Sequence, residues 1–127
     1  MNLEQKLARL TDLYGSTCVY CRVVKANDID YIVPLQHLKH SRKLNKRASR
    51  KNRRDLPIIA NNYLGNLLPV CSGCKVKRYQ LSIYSYLNDV QLRKIDNSRQ
   101  EAGFLLISQC NNQSSFLKCI AKTLTTN

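Results

Sequence analysis

Leu3, Leu7, Leu10 and Leu13 recur at three- and four-residue steps, which predicts an amphipathic helix over residues 2–13 that Gly15 stops. The pattern then shortens. Arg22 to Lys25 and Ile29 to Val33 are β-rich runs joined by the turn-like Ala26-Asn27-Asp28, so a hairpin is expected, with Pro34 ending its second strand. Leu56 to Ala60 is a brief apolar run. Asn61-Asn62 and Gly65-Asn66 mark a loop leading into Leu67-Leu68-Pro69-Val70. Helical spacing resumes from Lys75, where Val76, Tyr79, Ile83, Tyr86, Leu87 and Val90 form one apolar stripe. From about residue 96, Phe104-Leu105-Leu106-Ile107 and Phe116-Leu117 predict one or two further helices, with the Asn-rich residues 111–113 as a linker. The elements add up to a small α+β domain.

Cysteine placement changes that picture from a bare list of elements to a clamped one. Cys18-Val19-Tyr20-Cys21 and Cys71-Ser72-Gly73-Cys74 are two C-x-x-C knuckles. Two intervening residues let both sulfurs of a knuckle face one ion at about 2.3 Å, and four thiolates close the shell around a structural zinc with no open position for a substrate. Residues 22–70 separate the knuckles, more than a compact zinc ribbon uses, so a small domain must fold between them. Cys110 and Cys119 have no histidine nearby and are expected to be buried free thiols.

The chain has 127 residues, enough for one core that buries roughly two thirds of the unfolded surface. Its start lacks the apolar stretch of a signal peptide, and the longest apolar run, Phe104 to Ile107, is far short of a membrane span. An intracellular protein, cytoplasmic or nucleoid-associated and not secreted, is therefore expected, in a reducing compartment that suits zinc thiolates.

Charge supplies a partner. With 21 Lys and Arg against 8 Asp and Glu, the formal net charge is +13, which favours a polyanion and makes nucleic acid the expected ligand. The excess is concentrated. From His37 to Arg54 the chain carries Lys39, Arg42, Lys43, Lys46, Arg47, Arg50, Lys51, Arg53 and Arg54 without one acidic residue. Lys39, Arg42, Lys43, Lys46, Arg47, Arg50 and Arg54 share one side of a helical repeat, a basic ridge that phosphates would neutralise and order. A solvated loop or a localisation signal is the simpler reading of the same run.

The order Cys18-Val-Tyr-Cys21, Asp30-Tyr31-Ile32-Val33-Pro34, Asn66-Leu67-Leu68-Pro69-Val70-Cys71-Ser72-Gly73-Cys74 and Lys77 resembles the HNH endonuclease family, with its zinc-clamped ββα-metal fold. The resemblance covers roughly residues 12–90, with the basic insert at 37–54 and a helical C-terminal extension at 91–127, all in one domain. It implies that Asp30 is a ligand of a divalent metal at the scissile phosphate and that Asn66 positions the base strand. Two positions depart from the family. Tyr31 stands where the family has its general-base His, and Lys75 stands where the helix supplies a metal ligand.

A phenol of ordinary pKa near 10 is ionised about one part in a thousand at neutral pH, which forfeits much of the roughly 10²- to 10⁴-fold a general base supplies. Lys75, as an ammonium, opposes a divalent ion. The expectation is a zinc-stabilised, catalytically degenerate relative that binds nucleic acid, DNA ahead of RNA, through the insert and through Lys75, Lys77 and Arg78. The alternative is an active endonuclease using Mg²⁺ or another divalent ion, with Asp30, Tyr31 and Asn66 as its catalytic set and His37 or His40 as a replacement base. A further alternative is a structural subunit of a nucleoprotein assembly. Among the aromatic residues, Tyr84 is the expected base-stacking candidate, while Tyr79 and Tyr86 are expected in the core.

Overall fold

A computed structural model describes residues 1–33 and 63–125. The ridge of cations at 39–54, His37, His40 and the run Leu56 to Ala60 lie outside the described residues.

Helix α1 spans Leu3–Tyr14 and is fixed at both ends by its own sequence. Gln5 N–H donates to Asn2 Oδ1 at 2.8 Å while Asn2 N–H donates to Gln5 Oε1 at 3.0 Å, a reciprocal capping box. Gly15 ends the helix at φ 95°, a backbone angle that costs a glycine little. Strand β1, Asp28–Tyr31, pairs antiparallel with β2, Leu67–Val70, in the register Asp28 to Val70 through Tyr31 to Leu67. Strand periodicity then sorts the sheet into two faces. Ile29 and Leu67 meet Leu10 of α1, with Leu7, Tyr14 and Tyr31 at the margin. Leu68 and Val70 face the larger core.

That larger core draws on both halves of the described chain. Cys18, Val19, Tyr20 and Ile32 from the first half pack in one cluster with Ile83, Leu87, Ile95, Ile107, Phe116 and Ile120. The later residues belong to α3 (Ile83–Tyr86), α4 (Asp89–Ala102), a 3-10 turn at Ile107–Gln109 and α5 (Gln113–Thr125), after the short α2 (Ser72–Arg78). Residues 91–125, expected as an extension, thus contribute to the same core as the knuckles. The described residues form an α+β arrangement, and none of their helices is long and apolar enough to cross a membrane.

Two expectations are corrected. The hairpin of Arg22–Lys25 with Ile29–Val33 does not form, because the first run serves the knuckle. Cys18 N–H donates to Val24 C=O at 2.8 Å and Arg22 N–H to Cys18 C=O at 2.9 Å, with Arg22 in the left-handed region at φ 58°. Only an isolated bridge between Thr17 and Lys25 remains, and β1 takes β2 as its partner. The stripe from Val76 to Val90 is likewise not one helix. Ser82 Oγ accepts from Tyr84 N–H and starts α3, and Asn88 starts α4 through a second capping box with Gln91. Each cap resets the helical phase, so Ile83 and Leu87 are buried while Val76, Tyr79 and Val90 are exposed. Asn112, expected in a linker, accepts from Ser115 N–H at 2.9 Å at the start of α5.

Candidate metal centre and the adjoining carboxylate site

The two knuckles converge. One sulfur each from Cys18, Cys21, Cys71 and Cys74 lies within 4.8 Å of the others, with all but Cys21 buried. Tetrahedral zinc at a Zn–S distance of about 2.3 Å needs sulfurs roughly 3.8 Å apart, so small side-chain adjustments complete the shell. The donor set fits a structural metal ion such as zinc.

The four thiols do not share one electrostatic environment. Burial pushes the Cys18 thiol up, and burial followed by hydrogen bonding with Cys71 pushes Cys74 up to about 12. Cys21 is instead brought down to about 6, first by the Val24 backbone N–H and then by that of Val23. The loop that gave up the expected strand therefore aims its N–H groups at a sulfur. Several thiolates packed this closely repel one another, and a divalent cation is what makes them stable together.

Beside this cluster lies a second polar centre that the sequence did not announce. Asp30 on β1 is buried, and its Oδ2 accepts from Tyr20 Oη at 2.7 Å and from Arg78 Nη1 at 2.9 Å. The guanidinium does more than pair. Its Nη2 donates to Ile32 C=O at 2.9 Å, Nη1 also donates to Tyr31 C=O, and Nε donates to Leu81 C=O at 3.1 Å. Arg78 thus ties the end of α2 to the end of β1. Expected among the phosphate-contacting cations, it is buried and its donors point inward. The planar five-donor fork suits this task in a way that a lysine would not.

The remaining candidates occupy defined places. Asn66 is fully buried, its Oδ1 accepting from Val33 N–H at 2.9 Å and its Nδ2 donating to Val33 C=O at 3.1 Å. Ile32 N–H adds a bond to Asn66 C=O at 2.8 Å, so this residue pins the chain just after β1. Tyr31 is half-buried, and burial, then Asp28 and Asp30, push its phenol above the ordinary value. A group so shifted is a poorer general base than free tyrosine. Lys75 Nζ lies 3.4 Å from Asp28 Oδ2 in a partly exposed pair, and Lys77 is exposed.

Tyr79 and Tyr84 exchange the places expected of them. Tyr84 is half-buried and donates to Ile107 C=O at 2.7 Å, whereas Tyr79 is 77% exposed. Tyr86 is partly buried, its ring edge-on to Tyr20 with centroids 5.3 Å apart. Cys110 and Cys119 have sulfurs 3.8 Å apart, and among the described residues the four-cysteine cluster is the one group suited to holding a metal.

Sequence reasoning also missed Arg99. This fully buried residue donates to Gly65 C=O at 2.8 Å, Leu105 C=O at 2.8 Å and Tyr14 Oη at 3.1 Å. It lies over the rings of Phe104 and Phe116 at 5.6 and 5.9 Å. Through Gly65 it supports the turn that presents Asn66. No buried side-chain nitrogen or oxygen among the described residues is left without a partner.

A scan against protein-family models gave no match, and neither did searches of curated proteins and of solved structures.

Proposed function

We propose that this chain is a zinc-stabilised protein with an HNH-like frame that binds nucleic acid and has lost the cleavage step. The observation that carries this reading is Arg78 Nη1 at 2.9 Å from Asp30 Oδ2. In the resembled family that carboxylate holds the catalytic divalent ion. Here a covalently tethered cation faces it, and Tyr20 Oη fills a further direction of approach. A divalent ion at Asp30 would have to displace a guanidinium held by three other acceptors, Tyr31, Ile32 and Leu81. The raised phenol at Tyr31 and the ammonium at Lys75 work in the same direction.

Nucleic acid remains the partner that the charge favours. A net +13 attracts polyanions, and Lys77 presents one of its cations on the outer side of α2. Zinc is the metal that four thiolates select in a closed site, and thiolates of this kind belong to a reducing, intracellular setting.

The test is an electrophoretic assay on supercoiled plasmid and on oligonucleotides with Mg²⁺, Mn²⁺ or EDTA. Retardation without nicking in every lane is the expected result. If about six cations meet phosphates, log K falls against log salt with a slope near −5 on duplex DNA. Metal-dependent nicking that disappears in Asp30→Ala would replace this reading with that of an active endonuclease. Absence of any retardation at low salt would remove nucleic acid as the partner.

A further inference from the structure

Three of the nine large apolar side chains exposed among the described residues fall within six consecutive positions, Val76, Tyr79 and Leu81. They are 73%, 77% and 49% exposed, although α2 buries Cys74 and Arg78 on its other side. Val76 is exposed on α2 and Tyr79 directly follows the helix, with the exposed Lys77 between them in sequence and Lys75, paired with Asp28, one turn before Tyr79. This stretch therefore combines ammonium groups with apolar and aromatic surface.

That combination has a specific chemistry. A duplex backbone is matched by cations alone, and an exposed ring gains nothing from phosphate. Unpaired bases need both features, because each base offers a flat π face for stacking while its phosphate seeks a cation. Tyr79, at the end of α2, is the aromatic side chain available for this here, since Tyr84 is committed to Ile107 C=O and Tyr86 to the ring of Tyr20. Tyr79 N–H donates to Val76 C=O at 3.2 Å, and the neighbouring Arg78 bonds Asp30 and the end of β1.

We propose that the exposed surface formed by α2 and the turn that follows it is a stacking platform for unpaired nucleotides, with Tyr79 as the ring on which a base rests, Val76 and Leu81 as its apolar border and Lys77 as the contact for a neighbouring phosphate. This rests on the nucleic-acid-binding reading given above and adds its substrate class, single-stranded or locally unpaired nucleic acid. The carboxylate site of Asp30 has no part in it.

Tyr79 can be replaced without disturbing the core, because its side chain is largely in solvent. The chain contains no tryptophan, so Tyr79→Trp places a lone indole at the platform. Titrating the zinc-loaded Tyr79→Trp protein with oligo(dT) should quench indole emission, with a smaller change on blunt duplex of equal length. Tyr79→Leu should weaken oligo(dT) binding roughly tenfold while leaving duplex binding and its salt slope within about twofold, and Tyr79→Phe should retain wild-type affinity. Equal oligo(dT) affinity in wild type and Tyr79→Leu, together with unquenched indole emission, would overturn the platform while leaving phosphate binding intact. Loss of self-association in Tyr79→Leu with no change in oligo(dT) affinity would overturn it in favour of a second copy of this chain. Absence of binding to both duplex and single strand by wild type would overturn the platform and the reading it rests on together.

Discussion

Two buried polar centres hold this molecule together, and they obtain their positive charge in opposite ways. The four sulfurs of Cys18, Cys21, Cys71 and Cys74 lie within 4.8 Å of one another, and as thiolates they would take their cation from outside the chain. Asp30 lies in the same fold, but its counter-charge is Arg78, built into α2 four residues after the last cysteine. The difference shows two ways in which buried anionic groups can be neutralised in one small fold. A cage of thiolates cannot be stabilised by a single side chain, because several like charges within 4.8 Å need a multivalent ion at their centre. A lone carboxylate can be satisfied by one guanidinium, which also bonds three backbone carbonyls and so fastens helix to strand.

The sharpest way to break the comparison is to remove the external cation. Chelation, or Cys71→Ser, should unfold the protein, since structural zinc contributes about 10–16 kcal/mol of apparent binding free energy in small domains at neutral pH. Circular dichroism of the wild type should show a cooperative loss of structure on chelation, and a folded metal-free chain would refute it. The pH dependence follows from the donors. Zinc binds thiolates, so acidification must release it with the uptake of more than one proton per ion, which a zinc-indicator titration measures.

Removing the internal cation should have a smaller but still large effect. Arg78→Met leaves the Asp30 carboxylate buried and unpaired, a change worth about 3–5 kcal/mol in urea unfolding. Asp30→Asn in the same background should recover part of that loss. If the double variant is no more stable than Arg78→Met, the ion pair is not what Arg78 contributes. Asn66→Ala comes next. It strips both bonds from Val33 and should cost about 1–3 kcal/mol while leaving zinc bound.

These two centres were unequally visible in the amino-acid sequence. The cysteine cage could be read because each knuckle is a local spacing, and two such spacings specify one ion. Asn66 was singled out because it sits in a loop shortly before Cys71, but its two bonds to Val33 could not be read from the sequence. Gly15 and the Leu7 and Leu10 face of α1 were legible for the same local reason as the cage. Arg78 was not. On a helix surface it is one basic residue among Lys75 and Lys77, and only the packing of α2 against β1 turns it inward. The exchange of Tyr79 with Tyr84 has a comparable origin, since extending one helical period across Ser82 ignored the cap that resets the phase. Arg99 reaches Gly65 from 34 positions further along the chain, and no short-range pattern encodes such a contact.

The smallest effect concerns the phenols around the two centres. Burial raises Tyr20 above the ordinary value of 10.0 and raises Tyr86 to about 12. Both folded-state values exceed the unfolded ones, so the associated stability is complete below pH 10 and, for Tyr86, is lost as the pH climbs toward about 12. Tyr86→Phe should flatten that decline in an alkaline unfolding series. An unchanged profile would show that the phenol is not desolvated in the folded protein.

The central claim is that one ion site needs a metal and the other is filled by Arg78. A titration of the zinc-loaded protein with Mn²⁺, followed by electron paramagnetic resonance with and without duplex oligonucleotide, tests it most directly. The account expects zinc to remain at one ion per chain and no stoichiometric Mn²⁺ site to emerge at Asp30 in either condition. A bound Mn²⁺ that is lost in Asp30→Asn would contradict it, and would mean that Arg78 yields its place to a catalytic ion.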